Sequence, residues 1–136
     1  MLPRSSYKPS VLLVEDEPGI LTTFRAILDQ EGFEVTAVAT YRAATSLIQE
    51  QSYDAVITEL NLEGQDLGLR LAAELKLQKK PPAVVIYTGY PTIQQLRQAL
   101  KLRVDYVALK PVDLNEIKAA LRRLIARRSS TPVLSY

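Results

Sequence analysis

The sequence predicts a doubly wound α/β domain on an all-parallel sheet, and three observations carry that prediction. Five short apolar runs alternate with stretches whose apolar residues recur at helical spacing. No tight-hairpin signal joins consecutive runs, so the strands need crossover connections, which are right-handed. Four of the runs also end in reactive or charged side chains. Residues 11–14 precede Glu15, Asp16 and Glu17; 55–57 lead to Glu59; 83–87 precede Thr88 and Gly89; and 106–109 precede Lys110 and Pro111. Ligands of open α/β sheets bind outside the carboxyl ends of the strands, so these endings are expected to meet in one crevice.

Residues 1–10 carry no periodic pattern and are expected to form a flexible leader before a domain over 11–127, with 128–136 a tail or the start of a linker. The first strand is 11–14. Pro18 suits the first turn of a helix in which Ile20, Phe24, Ile27 and Leu28 share a face until Gly32 stops it. Residues 33–39 alternate weakly, as an edge strand does. Thr40 then caps a helix packed through Ala44, Leu47 and Ile48. The continuous apolar run from Ala55 marks a central strand over 55–60, covered on both faces.

A loop with Gly64 and Gly68 leads to a third helix with Leu71, Ala72 and Leu75 inward, ended by the Lys-Lys-Pro-Pro stretch at 79–82. The fourth strand is 83–87. Residues 92–102 predict a helix with Ile93, Leu96, Ala99 and Leu100 inward, and the fifth strand follows at 106–109. Asp113 with Glu116 three residues on has the form of a capping box, opening a last helix packed through Leu114, Ile117, Leu121, Leu124 and Ile125.

Composition narrows the chemistry. The 136 residues include no histidine and no cysteine, which removes disulfides, thiolate nucleophiles, imidazole bases and Cys/His metal sites. Only lysine or carboxylate mechanisms are left to an enzyme, and an enzyme is not the expected reading. Any metal would be a hard cation on oxygen ligands. The five glycines match no phosphate-binding glycine loop, and no stretch reads as a signal peptide or membrane span, so a cytoplasmic protein is expected.

Charge is unevenly placed. Residues 1–68 hold four basic and eleven acidic side chains, net −7, whereas 69–136 hold thirteen basic and four acidic, net +9. This split fits an acidic pocket from the first half and a basic face from the second. Basic residues such as Arg122, Arg123, Arg127 and Arg128 also suit the carboxyl end of a helix, as complements to its dipole.

Four motifs in order, VLLVEDEP at 11–18, DAVITELN at 54–61, IYTG at 86–89 and LKP at 109–111, resemble the receiver domain of two-component response regulators over about residues 10–127. The resemblance implies the flavodoxin-like strand order 2-1-3-4-5 with five helices. It also implies a phosphoryl group accepted from a histidine kinase by an aspartate at the end of the third strand. By the same resemblance Glu15, Asp16, the position of Glu59 and the backbone carbonyl of Asn61 form a site for a weakly held Mg²⁺. A hard cation of that kind neutralises charge on a transferred phosphoryl group. Thr88 matches the switch hydroxyl, Gly89 leaves room beside it, and Lys110 matches the cation that pairs with the acidic centre, before a Lys-Pro bond that is commonly cis in the family.

The main departure is Glu59, which stands at the phosphoacceptor position. Its extra methylene moves the carboxylate towards the place of a phosphoryl group, against transfer geometry that tolerates little error. Two consequences are open: partial mimicry of the phosphorylated state through Thr88 and Lys110, or an inert, Lys110-paired state. A single carboxylate carries about −1 where a phosphate carries roughly −1.5 to −2. Glu63 stands where many relatives have proline, in the longer form of that loop. The switch-aromatic position, three before Lys110, is Val107, and Tyr106 lies one earlier. Either β5 holds a bulge or the aromatic switch is absent.

These readings predict an atypical receiver that is not phosphorylated at the usual site and acts through protein contacts. The contact face, from the fourth helix, fifth strand and fifth helix, would present Gln94, Arg97, Gln98, Lys101, Tyr106, Lys118 and Arg122. The expected partners are a histidine kinase, a downstream output protein or a second copy of the chain. A conventional phosphoacceptor receiver is the first alternative. A nucleic-acid-binding module using the basic half is the second, weakened by the lack of interleaved aromatics or a recognition helix.

Overall fold

The structure is a computed structural model that describes residues 7–129. Five parallel strands lie in the order β2-β1-β3-β4-β5, connected through five helices. The strands are β1 (Ser10–Val14), β2 (Glu34–Val38), β3 (Ala55–Glu59), β4 (Ala83–Thr88) and β5 (Tyr106–Leu109). The helices are α1 (Pro18–Gln30), α2 (Tyr41–Glu50), α3 (Leu67–Lys76), α4 (Ile93–Lys101) and α5 (Leu114–Ser129). The expected fold class and strand order are both found. Strand β1 starts at Ser10 and α5 runs through Ser129, one residue before and two beyond the expected bounds of 11 and 127. Most of the expected leader and tail lies outside the described residues.

Period-two alternation divides the core. Val11 and Leu13, Ala55 and Ile57, Val85 and Tyr87 face α1 and α5, where Phe24, Leu28, Ile117, Leu121, Leu124 and Ile125 cover them. Leu12 and Val14, Val56, Val84 and Ile86 face the other way, against Ala44, Ile48, Leu71, Ala72, Leu75 and Ala99. Residues β3 55–59 and β4 83–88 are buried throughout, which explains their continuous apolar runs.

Local signals set the element ends. Pro18 occupies the first turn of α1, and Thr40 Oγ1 accepts from the Ala43 amide at 3.1 Å to open α2. Thr92 and Gln95 complete a reciprocal capping box on α4. Asp113 Oδ1 accepts from the Asn115 amide at 2.9 Å and the Glu116 amide at 3.4 Å, the forward half of the expected box. Helix α3 stops at Lys76, before the Lys-Lys-Pro-Pro stretch, leaving Leu77 87% exposed.

One expected face is wrong. Ile93 and Leu100 were to point inward, yet they are 71% and 76% exposed. In this nine-residue helix Ala99 is the buried contact, and Ile93 and Leu100 lie about 100° or more round the axis from it. The apolar stripe of α4 is wider than the contact it makes, so part of it faces outward.

Gly68, in the first turn of α3, brings that helix against the end of β3, where Glu59 sits. A Cβ there would stand 2.2 Å from the Glu59 carbonyl oxygen and 2.7 Å from Leu60 Cα, both backbone atoms that cannot swing aside. The Gly68 amide also donates to the Leu60 carbonyl at 2.9 Å. Gly68→Ala is therefore expected to destabilise the fold by about 3 kcal/mol. Gly19→Ala, whose Cβ would meet nothing closer than Glu17 Oε1 at 3.7 Å, is expected to leave stability unchanged or slightly raised. Denaturant unfolding of both variants checks the contrast.

Candidate functional site

The crevice forms at the carboxyl ends of β1, β3, β4 and β5, beside the point where strand order reverses between β1 and β3. Register decides which side chains meet there. Val14 pairs with Thr58, Glu59 with Tyr87, and Tyr87 with Ala108. Alternation then sends Glu15, Glu59, Tyr87 and Lys110 to the side of α1 and α5, and Thr88 to the side of α4.

The closest contact is ionic. Lys110 Nζ lies 2.5 Å from Glu59 Oε1 and 3.9 Å from Glu15 Oε1. Glu59 is 5% exposed and Glu15 1%, whereas the Lys110 side chain keeps 30% of its surface in solvent. Glu59 Oε2 accepts from the Asn61 amide at 3.0 Å, so each oxygen of this carboxylate has a donor. Burial works against the Lys110 ammonium, yet its bond to Glu59 and the charges of Glu59, Glu15 and Asp16 raise its pKa above the usual lysine value.

Tyr87 closes the crevice from beneath. Its hydroxyl donates to Glu15 Oε1 at 2.6 Å, its ring lies 5.3 Å from Lys110 Nζ, and Phe24 packs on it with ring centroids 5.6 Å apart. Burial, then the neighbouring Glu15, pushes the phenol pKa far up, so it remains a donor. Glu15 Oε2 accepts from the Glu17 amide at 3.0 Å. Burial raises the Glu15 pKa against the pull of these donors and of Lys110.

On the α4 side the contacts are made by hydroxyl and amide side chains, with one carboxylate, Asp66, accepting. Asn61 Nδ2 donates to Thr88 Oγ1 at 3.4 Å, and Gln95 Nε2 donates to Asn61 Oδ1 at 3.3 Å and Asp66 Oδ1 at 2.6 Å. Because Gln95 Oε1 also accepts from the Thr92 amide at 2.9 Å, the capping residue of α4 is joined to the crevice. Gly89 follows Thr88, with open space where a side chain would be.

The structure thus brings Glu15, Glu59, Lys110 and Thr88 to one end of the sheet, with Asn61 and Gly89 beside them. Asp16 stands at the exposed rim, where Oδ2 accepts from the Glu63 amide at 3.0 Å. Glu63 has φ 56, a left-handed conformation closed to proline, whose φ is fixed near −65°, and proline would offer no such donor. The Lys110-Pro111 bond is cis. Pairing of β4 with β5 is regular from Tyr106 to Leu109, so no bulge exists and Val107 holds the switch-aromatic position. Val107 packs on the α4 side of the sheet and Tyr106 on the α5 side.

The expected contact face divides. Gln94, Arg97, Gln98 and Lys101 line one groove with Ile93. Lys118 instead pairs with Glu31 at 3.2 Å, and Arg122 lies 3.9 Å from Glu31 and over the Phe33 ring, so both turn towards the end of α1. Sequence reasoning missed Tyr87 and Gln95. The strand alternation that puts Glu59 in the crevice also puts Tyr87 there, and the Thr92-to-Gln95 spacing was a capping signal.

The Mg²⁺ implied by the resemblance can be tested against this arrangement. Among the described residues no group of three or more carboxylates is arranged to hold a metal ion. Glu15, Asp16 and Glu59 each turn oxygens to donors of the chain itself, so their present geometry does not fit a cation.

Carboxylates and a lysine are gathered at the switch point of an open α/β sheet, with a hydroxyl and a glycine beside them, where domains of this fold class bind their ligands. Comparison with known proteins makes the assignment. The chain belongs to the response regulator receiver domain family, whose sequence pattern matches residues 11–122. It is 33% identical over 122 residues to the alginate biosynthesis transcriptional regulatory protein AlgB of Pseudomonas aeruginosa, covering 89% of this chain and 27% of that protein. It is likewise 33% identical over 122 residues to the transcriptional regulatory protein TcrA of Mycobacterium tuberculosis, covering 90% of this chain and 47% of that one. The chain thus spans well under two thirds of the length of these relatives. A CheY-like receiver domain protein from Methanospirillum hungatei superposes with a TM-score of 0.85 at 20% identity, covering 93% of this chain and all of that one, and shows the shared fold.

Removing the lysine leaves Glu59 buried and without its cation. Lys110→Met is expected to cost about 2 kcal/mol, less than a fully buried pair because Lys110 is partly solvated. Since the folded-state pKa of Lys110 is raised, the pair's contribution is complete below the ordinary lysine value of about 10.4 and is lost as pH rises through the raised value. The gap in melting temperature between native chain and Lys110→Met should hold from neutral pH to about 10 and narrow above it.

Proposed function

We propose that this receiver domain serves two-component signalling as an atypical, fixed-state module, read through protein contacts and not switched by phosphoryl transfer to the usual position. The observation that carries the reading is the 2.5 Å contact between Lys110 and Glu59. It favours the lysine-paired alternative over mimicry, because Thr88 Oγ1 takes its hydrogen bond from Asn61 while Glu59 is held by Lys110 and the Asn61 amide. The extra methylene brings the carboxylate to the ammonium and takes it out of the position that in-line transfer requires.

Contacts with a kinase, an output protein or a second copy would use α4 and β5. Tyr90, Ile93, Leu100 and Leu109 are 95%, 71%, 76% and 58% exposed, large apolar side chains beside the polar groove of Gln94, Arg97, Gln98 and Lys101. Nucleic acid fits less well, since Lys76 and Arg128 pair with Asp105, and Lys118 and Arg122 with Glu31, which spends part of the basic excess within the chain. The module signals by binding and performs no turnover.

Two measurements test this. Intact mass after incubation with a small acyl phosphate and Mg²⁺ should show no phosphoryl gain on the native chain; labelling of the native chain returns the conventional relay. Concentration-dependent sedimentation should show association that Ile93→Asp/Leu100→Asp abolishes. A native chain that stays monomeric, or association unchanged in the variant, removes self-association through this face.

A further inference from the structure

The crevice contains more internal donors than the proposed function requires, and they are distributed in a definite way. Lys110 Nζ contacts Glu59 Oε1 at 2.5 Å and reaches Glu15 Oε1 at 3.9 Å, so one ammonium stands between two buried carboxylates. The Tyr87 hydroxyl takes the same Glu15 oxygen at 2.6 Å. The Glu17 amide takes the other at 3.0 Å, and the Glu63 amide holds Asp16 at 3.0 Å. A divalent cation in such a crevice would do two things: neutralise like charges and fix the carboxylate oxygens. The chain performs the second task with its own donors and the first in part, through the one ammonium.

We infer that Lys110 and Tyr87 together replace the divalent cation in this domain, and that Tyr87 is the residue that keeps Glu15 from serving one. This role for Tyr87 rests on the proposed fixed-state receiver pocket and adds a residue to it. Tyr87 is 1% exposed and wedged between Phe24 and Lys110, so its hydroxyl has a fixed direction. For Glu15 to turn Oε1 to a cation it would have to give up a buried phenol hydrogen bond, leaving that hydroxyl unpaired, a cost that an ion held by exposed carboxylates and water does not carry. Tyr87→Phe keeps the ring and its packing and removes only the donor.

The test is a Mg²⁺ titration of the full chain at constant ionic strength, following the amide NMR shifts of Glu17, Asn61 and Glu63. Over the range in which Glu59→Asp/Tyr87→Phe saturates, the native chain should show no saturable change. Adding Tyr87→Phe to Glu59→Asp should tighten Mg²⁺ by about tenfold or more, equivalent to about 1.4 kcal/mol. Saturable binding by the native chain over the same range overturns the inference, as does equal affinity of Glu59→Asp with and without Tyr87→Phe. If the double variant fails to fold, Tyr87→Phe alone is titrated beside the native chain over the same Mg²⁺ concentrations, where it should bind more tightly, and equal behaviour overturns the inference. Phosphoryl uptake is read separately by mass, so a native chain that binds Mg²⁺ and takes no phosphoryl group overturns this inference alone.

Discussion

The ammonium of Lys110 sits between Glu59 and Glu15, and the carboxyl edge of the sheet depends on keeping it there. Without it, two buried carboxylates would face each other across neighbouring strands, a charge arrangement that low-dielectric surroundings make costly. The backbone supports the position, because the Lys110 amide donates to the Thr88 carbonyl at 2.8 Å and ties the end of β5 to β4. Gly68 supports it from the other side by letting α3 close on the backbone of Glu59. Tyr87 supplies the floor, a ring beneath the ammonium and a hydroxyl for Glu15. The inner cluster sets one ammonium against two carboxylates, and Asp16 adds a third carboxylate at the exposed rim.

This arrangement separates two sides of the same sheet. The charged half, Glu15, Glu59, Tyr87 and Lys110, lies on the side of α1 and α5. The hydroxyl and amide half, Thr88, Asn61 and Gln95, runs to the start of α4. Asn61 joins the halves, with its amide on Glu59 and its side chain on Thr88 and Gln95. A route therefore exists from the Glu59 position to α4 that does not pass through an aromatic at position 107. Helix α4 in turn leaves Ile93 and Leu100 facing outward, so the element tied to the crevice is the one with apolar surface to offer.

Much of this was legible in the sequence. Continuous apolar runs named the buried strands, Pro18, Thr40 and Asp113 named helix starts, and charged residues at the strand ends named the crevice. Alternation alone could have added Tyr87, since it has the parity of Glu59 in paired strands. Other features were not legible. The inward face of α4 was overread because periodicity reports how wide an apolar stripe is, not how much of it a neighbour covers. Lys118 and Arg122 fell to Glu31, a partner 87 and 91 residues away, which no local pattern announces. The choice between a bulge and a missing aromatic in β5 needed the pairing register itself.

The most direct measurement is the NMR signal of the Lys110 ammonium at neutral pH. A lysine held at 2.5 Å by a buried carboxylate exchanges its protons slowly and gives a resolved side-chain signal that disappears in Glu59→Gln. Such a signal is expected from the Lys110–Glu59 pair. A Lys110 ammonium exchanging as fast as the exposed lysines, and indifferent to Glu59→Gln, would contradict it.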